Sequence, residues 1–210
     1  MELYFSPLAC SMATRIALYE AGGAATYTEI DPKTKRVVAT GADYREIYAL
    51  GLVPALRADD GELIVENAAV LQYVAARHPS LGPATAAGAT RLQQWLCFIG
   101  TELHKALFVP LLDKSAPPEV KQYALAKGKS RLAYLDRQLA GREALLDAFG
   151  VADAYLATIL TWTLVTPVSL AEYPAIQAYF ARIRERPSYA KAFAEERELF
   201  ALEQARHASA

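Results

Sequence analysis

The sequence predicts a chain in two parts: an α/β N-terminal half built on a small mixed sheet, and an all-α C-terminal half. Three observations carry this. Strand and helix patterns alternate over roughly the first eighty residues. The run Ser80-Leu81-Gly82-Pro83-Ala84-Thr85-Ala86-Ala87-Gly88 has the small-residue, Gly and Pro content of a linker. Beyond it, strand patterns disappear. The expected division is therefore 1–79, a linker at 80–88, and a helical part at 89–210.

In chain order, Glu2–Phe5 reads as an apolar strand. Ser11–Ala21 reads as a helix, with Ser11 as N-cap and Gly22-Gly23 as the stop. Thr26–Asp31 alternates and is rich in β-formers, so it is a second strand. Residues 33–40 are basic and irregular, and Asp43–Leu50 reads as a short helix. Pro54–Ala58 and Glu62–Val65 flank Asp60-Gly61, the signature of a β-hairpin. Asn67–Arg77 is a helix stopped by His78-Pro79. The order β-α-β-α-β-β-α implies a parallel crossover followed by an antiparallel hairpin, with helices on both faces of the sheet.

The second half reads as helices only. Ala89–Leu112 is one long pattern, kinked before Pro110. Pro117-Pro118 opens a helix running to about Leu139. Val151–Thr166 is apolar nearly all round and reads as a buried central helix. Tyr173-Pro174 opens another that ends near Arg186-Pro187, and Ser188–Ala205 is the last. Asp153, three residues after Gly150, falls in the register of a helix-capping carboxylate.

Composition narrows the partners. Of 210 residues, 53% are hydrophobic, enough for a full core, and the net charge of −1 carries no basic patch for nucleic acid. No apolar run of membrane-spanning length and no secretory leader are read from the pattern. Two cysteines far apart make no disulfide framework. A soluble cytoplasmic protein is the expectation.

Four features of the first half carry chemistry. Cys10 and Ser11 lie where the first strand turns into a helix, facing unpaired N–H groups and the positive end of the helix dipole, a setting that lowers a thiol from ~8.5 toward neutrality. Otherwise Cys10 is a small buried hydrophobe. Ala13 excludes a Cys-x-x-Cys dithiol. Val53-Pro54, ahead of a strand, would expose the Val53 backbone to an extended peptide if the bond is cis. Glu66-Asn67-Ala68 opens a helix whose N–H groups suit a ligand carboxylate, with Glu66 placed for an ammonium, or else simply solvated. Lys35 is either a surface charge or the partner of a second carboxylate. Together the four match a short peptide with an α-amino-acid head, a central thiol and a terminal carboxylate, which is the pattern of glutathione.

Here the chain resembles the bacterial beta class of glutathione transferases. The resemblance runs through Leu3–Ser11, Gly51–Leu56, Glu66-Asn67, Gln72-Tyr73, Thr101-Glu102-Leu103-His104-Lys105 and Val151–Tyr155. It implies a thioredoxin-like N-terminal domain, a helical C-terminal domain that forms an electrophile pocket, a homodimer and no metal. It also implies roles. Cys10 lies beside the glutathione sulfur and forms mixed disulfides with it, with Ser11 near the same atom. Val53 pairs with the peptide ahead of a cis Pro54. Glu66 and Asn67 hold the γ-glutamyl group, Lys35 approaches the glycine end, and His104 reaches the sulfur from the second domain. The implied activity is conjugation or exchange of the glutathione thiolate with small hydrophobic electrophiles or disulfides, in detoxification. A Cys10-dependent thiol reductase or peroxidase, and a non-catalytic binding protein of the same fold, are the rival readings.

Five positions depart from the class pattern: Phe5 for a tyrosine, Leu50 and Leu52 for polar residues, Asn67 for Ser or Gly, and Cys97 for Asn. Gly150 also stands where a Ser or Thr cap is usual. A hydrogen bond to a charged ligand group is worth about 1.5–3 kcal/mol, so two lost contacts weaken binding about a hundredfold or more. Cys97 and His104 are seven apart and share a helix face, which makes Cys97 either a second thiol at the site, able to pair with Cys10, or a filler of apolar space.

Overall fold

The computed structural model describes residues 1–208; Ser209 and Ala210, at the end of the 89–210 span, lie outside the described residues. Four strands and seven α-helices are present among them. They run β1 (Glu2–Phe5), α1 (Met12–Ala21), β2 (Thr26–Glu29), β3 (Ala55–Arg57), β4 (Leu63–Val65), α2 (Asn67–Arg77), then α3 (Ala86–Leu112), α4 (Pro118–Leu139), α5 (Val151–Thr161), α6 (Pro174–Arg184) and α7 (Pro187–Ala208). The sheet order is β2-β1-β3-β4. β1 pairs parallel with β2 and antiparallel with β3, and β3 and β4 form the hairpin. This is the thioredoxin-like mixed sheet with a helical partner that the resemblance implied.

The sheet separates two cores. Leu3 and Phe5 on one face of β1 pack with α1, α2 and the helical half, while Tyr4 on the other face packs with Ile30, Val37, Tyr44 and Ala55. Burial of both faces explains why β1 reads as a continuous apolar run. The second face is covered by a loop and not by the expected helix at 43–50. Only Tyr44–Glu46 winds into a single 3₁₀ turn, started by the Asp43 carboxylate, which accepts from the Arg45 N–H. Gly51, at φ +59°, then turns the chain, and a Cβ there would press on the Lys35 side chain at 3.2 Å.

Helix α3 differs from the plain helix expected. Its segment Ile99–Phe108 is wound wide, as a π-helix, and the Val109 N–H reaches back to the His104 carbonyl. Pro110 follows this segment without breaking the helix. By length and composition α3 is apolar enough to cross a bilayer, contrary to the sequence reading. Its apolar face lies in the protein core, where Leu92, Trp95, Leu96, Ile99, Leu103 and Leu107 are all buried. Every residue of α5 is buried, as its all-round apolar pattern predicts, and α1 packs against both α5 and α7.

Asp153 anchors the start of α5. Its carboxylate accepts from the N–H groups of Gly150 (2.9 Å) and Leu145 (2.8 Å) and from the Tyr179 hydroxyl (2.7 Å). Burial pushes this carboxyl up while the three donors pull the other way. Gly150 has a packing reason: a Cβ there would meet the Leu81 carbonyl oxygen at 2.5 Å. A serine cap at this position would collide with the chain entering from α2.

Candidate active site

A cavity of about 470 Å³ opens between the two halves. The loop from β1 to α1 forms its floor. Ser6 donates to the Ile30 carbonyl (2.6 Å), and Leu8 adopts a left-handed backbone at φ 58°. Both sides of the Leu8 peptide are gripped from the helical half. Its N–H donates to Glu196 of α7 (2.7 Å), and its carbonyl accepts from the Trp162 indole (2.9 Å). Glu196 is fully buried. Its Oε1 lies 2.9 Å from Arg15 Nε, as an ion pair without hydrogen-bond alignment. Burial pushes the Glu196 carboxyl up to about 8, with Arg15 opposing. The Arg15 guanidinium sits 4.2 Å over the rings of both Phe5 and Tyr27, so its charge is held between aromatic faces.

Cys10 lines the cavity from this loop. Its thiol donates to the Val53 carbonyl at 3.4 Å, and it is only 8% exposed. Burial pushes the thiol up to about 12, outweighing the nearby Lys105 charge and its backbone hydrogen bond. That corrects the expectation of a thiol lowered by the helix start: desolvation exceeds the dipole here. Ser11 is also placed differently from expectation. It is fully buried, makes no side-chain cap, and donates its hydroxyl to the Ser6 carbonyl at 3.3 Å, so it does not line the cavity. The helical backbone of Ser11 (φ −59°, ψ −23°) turns its hydroxyl back into the turn.

The remaining predicted residues converge. Val53, in a cis bond to Pro54, borders the cavity, and its N–H has no partner among the described residues. Glu66 holds the start of α2 at φ 68°, a left-handed conformation that costs a non-glycine residue roughly 1–3 kcal/mol and persists where its surroundings enforce it. The first-turn N–H groups of α2 open on the cavity beside it. Asn67 is 8% exposed and lines the cavity with neither amide atom hydrogen-bonded; it lies beside the Tyr155 hydroxyl without bonding geometry. Lys35, also left-handed at φ 59°, stands across from it on a loop tied down by Asp31. The Asp31 carboxylate accepts from the N–H groups of Lys33 and Thr34 and contacts His207 of α7 at 2.8 Å.

The wide segment of α3 supplies the opposite wall, with Cys97, Gly100, Thr101, His104 and Lys105. His104 Nδ1 lies 2.8 Å from the Tyr155 hydroxyl, and its ring stands edge-on to Trp162 at 5.0 Å. Burial, then the Lys105 charge, lowers His104 to about 4, while burial raises Tyr155 to about 13, beyond physiological reach. The imidazole is therefore neutral, and the phenol keeps its proton. If the phenol donates to Nδ1, Nε2 carries the imidazole proton. Tyr155 and Lys105 belong to stretches the sequence reading quoted without assigning them roles. Glu196 and Trp162 gave no signal at all, because their partner Leu8 is more than 150 residues away.

Of the five departures, Leu52, Asn67 and Cys97 line the cavity, whereas Phe5 and Leu50 do not. The missing hydroxyl at Phe5 therefore costs no cavity contact; its ring serves Arg15. Among the described residues, no group of three or more His, Cys, Asp or Glu side chains is arranged to hold a metal.

A mixed sheet with a cis-proline, a cysteine at the first helix start and a helical bundle closing over both define a two-domain protein with a thiol-lined, peptide-sized cleft. Comparison gives the family. Residues 2–84 match the N-terminal domain model of glutathione S-transferase and residues 101–187 match the C-terminal domain model. The chain is 36% identical to glutathione S-transferase GstA of Escherichia coli O157:H7, over 93% of this chain and 98% of that protein. A sphingomonad glutathione S-transferase solved with glutathione is 39% identical, with a TM-score of 0.87 over 93% of this chain and 98% of that one. The beta-class enzyme of Sphingomonas chungbukensis has the same identity, coverage and TM-score. The chain belongs to the glutathione S-transferase family and is of beta-class type.

Proposed function

We propose that this chain binds glutathione in the cleft and transfers its thiolate to small electrophiles. One observation carries the reading: a single cavity collects an open helix start with Glu66, a strand-end backbone at Val53, a lysine and a thiol–imidazole pair, in the chemical order of the tripeptide. The γ-glutamyl carboxylate takes the first-turn N–H groups of α2, and its ammonium takes Glu66. The cysteinyl unit pairs with Val53, and the glycine carboxylate meets Lys35. The sulfur then lies at Cys10 and His104, where the imidazole Nε2–H donates to the thiolate and Lys105 adds positive charge. The acceleration comes from ionising and positioning the sulfur. The homodimer, the apolar electrophile, the cytoplasmic setting, the detoxifying role and the division at 80–88 belong to this reading through the family likeness.

Disulfide reduction started by Cys10 is the weaker reading, because its buried thiol is poorly ionised. Calorimetric titration of glutathione into the wild type and Cys10→Ala tests the proposal, followed by an aromatic-halide assay on both. Binding and conjugation by both proteins support transferase chemistry that does not need the thiol. No binding by the wild type overturns the reading in favour of a non-catalytic protein.

A further inference from the structure

The cavity holds two thiols in opposite settings. Cys10 is buried, and its proton is held on the Val53 carbonyl. Cys97 is free and exposed, at the last turn of the regular part of α3, on the wall that also carries Thr101, His104 and Lys105. Its exposure rules out the space-filling role, and no disulfide joins it to Cys10 in the structure. Thiol–disulfide exchange requires an attacking sulfur that a disulfide can approach in line. Cys97 meets that requirement and Cys10 does not.

A second, independent feature points to a ligand in the same cavity. Asn67 is 8% exposed, yet neither polar atom of its amide is hydrogen-bonded within the protein. A buried amide without a protein partner is completed by a ligand or solvent. Beside it, the α2 start and Glu66 suit an amino-acid head group. A disulfide anchored there by one peptide arm is retained in the chamber that Cys97 lines, where its local concentration is high.

We propose that Cys97 is a covalent-capture site for glutathionyl disulfides, and that the adduct closes the cavity as a reversible redox switch. The proposal rests on the glutathione reading of the cleft. In the step, the Cys97 thiolate, its proton released to solvent, attacks one sulfur of oxidised glutathione. A Cys97 Sγ–S bond forms and the S–S bond breaks. The second glutathione leaves with the electron pair and takes a proton from solvent. Cys97 is oxidised to the mixed disulfide, and the disulfide substrate is reduced by the same two electrons. A small thiol reverses the exchange and reopens the cavity.

The test treats the full-length protein with oxidised glutathione, measures intact mass, and maps the modified peptide. One glutathionyl group on Cys97 is expected, absent in Cys97→Ser, retained in Cys10→Ala and removed by dithiothreitol. S-methylglutathione, which cannot exchange, should slow the modification about tenfold when present at about ten times its Kd, by mass action. The adduct should abolish the binding heat of S-methylglutathione. Modification of Cys10 before Cys97, no adduct, or an adduct formed equally fast with S-methylglutathione present overturns the proposal. The two readings fail differently. If S-methylglutathione gives no binding heat with the untreated protein, the glutathione reading itself falls; if it binds and Cys97 stays unmodified, only the switch falls.

Discussion

His104 offers the sharpest test of the site's electrostatics. Its ring is 8% exposed, edge-on to Trp162 and bonded to Tyr155, and burial with the Lys105 charge holds it at about 4. In the unfolded chain a histidine titrates near ~6.5. Between those values the unfolded chain binds a proton that the folded one does not, so unfolding takes up a proton and stability falls as pH falls. The contribution is fully present above about 6.5 and is lost progressively toward about 4; at ~1.36 kcal/mol per pKa unit it amounts to about 3 kcal/mol. The assay is urea unfolding of wild type and His104→Gln from pH 7 to pH 4. Other groups titrate alike in both proteins, and glutamine keeps a partner for Tyr155. The wild type should lose about 3 kcal/mol more than the variant across that range. Parallel stability curves would refute the buried neutral imidazole, and with it the assignment of an uncharged donor at the thiol.

Other outcomes follow from single contacts. Tyr155→Phe should release the His104 tautomer, seen as a change in the ring ¹⁵N shifts and a shifted pH profile of conjugation, with the fold unchanged by circular dichroism. Glu196→Ala leaves the Arg15 charge unpaired and the Leu8 N–H unbonded, and should cost about 3–5 kcal/mol in denaturant unfolding. Gly150→Ala drives a Cβ toward the Leu81 carbonyl, 2.5 Å away, and should destabilise by about 1–3 kcal/mol although alanine is the better helix former. An iodoacetamide rate for Cys10 that stays low up to pH 9 checks its raised pKa, whereas ready alkylation at pH 7 would contradict its burial.

Most of the fold was legible in the chain. Period-two and helical patterns placed all four strands and the helices, because each element buries one face and the residue spacing shows which. The start of α2 at Asn67 and the opening of α4 at Pro118 came from cap and proline chemistry acting within a few residues. The stretch at 43–50 failed as a helix for an equally local reason: after one turn, Gly51 and the Lys35 loop take the backbone elsewhere. The π winding of Ile99–Phe108 left no such mark, since its residues are ordinary helix formers.

The site divides along the same line. Its members Lys35, Val53, Pro54, Glu66, Asn67 and His104 were recognisable from residue type and likeness, as were the cysteine and its place at a helix start. Their electrical state was not. The local sequence around Cys10 offers only a helix dipole, which lowers a thiol, whereas its burial between Val53 and the helical domain raises it to about 12. Ser11 turned away, Asn67 lost its partners, and Leu8 gained Glu196 across 188 residues of chain. Spacing along a chain determines which groups can share an element. Desolvation and pairing depend on what packs above them, and here that comes from α3, α5 and α7.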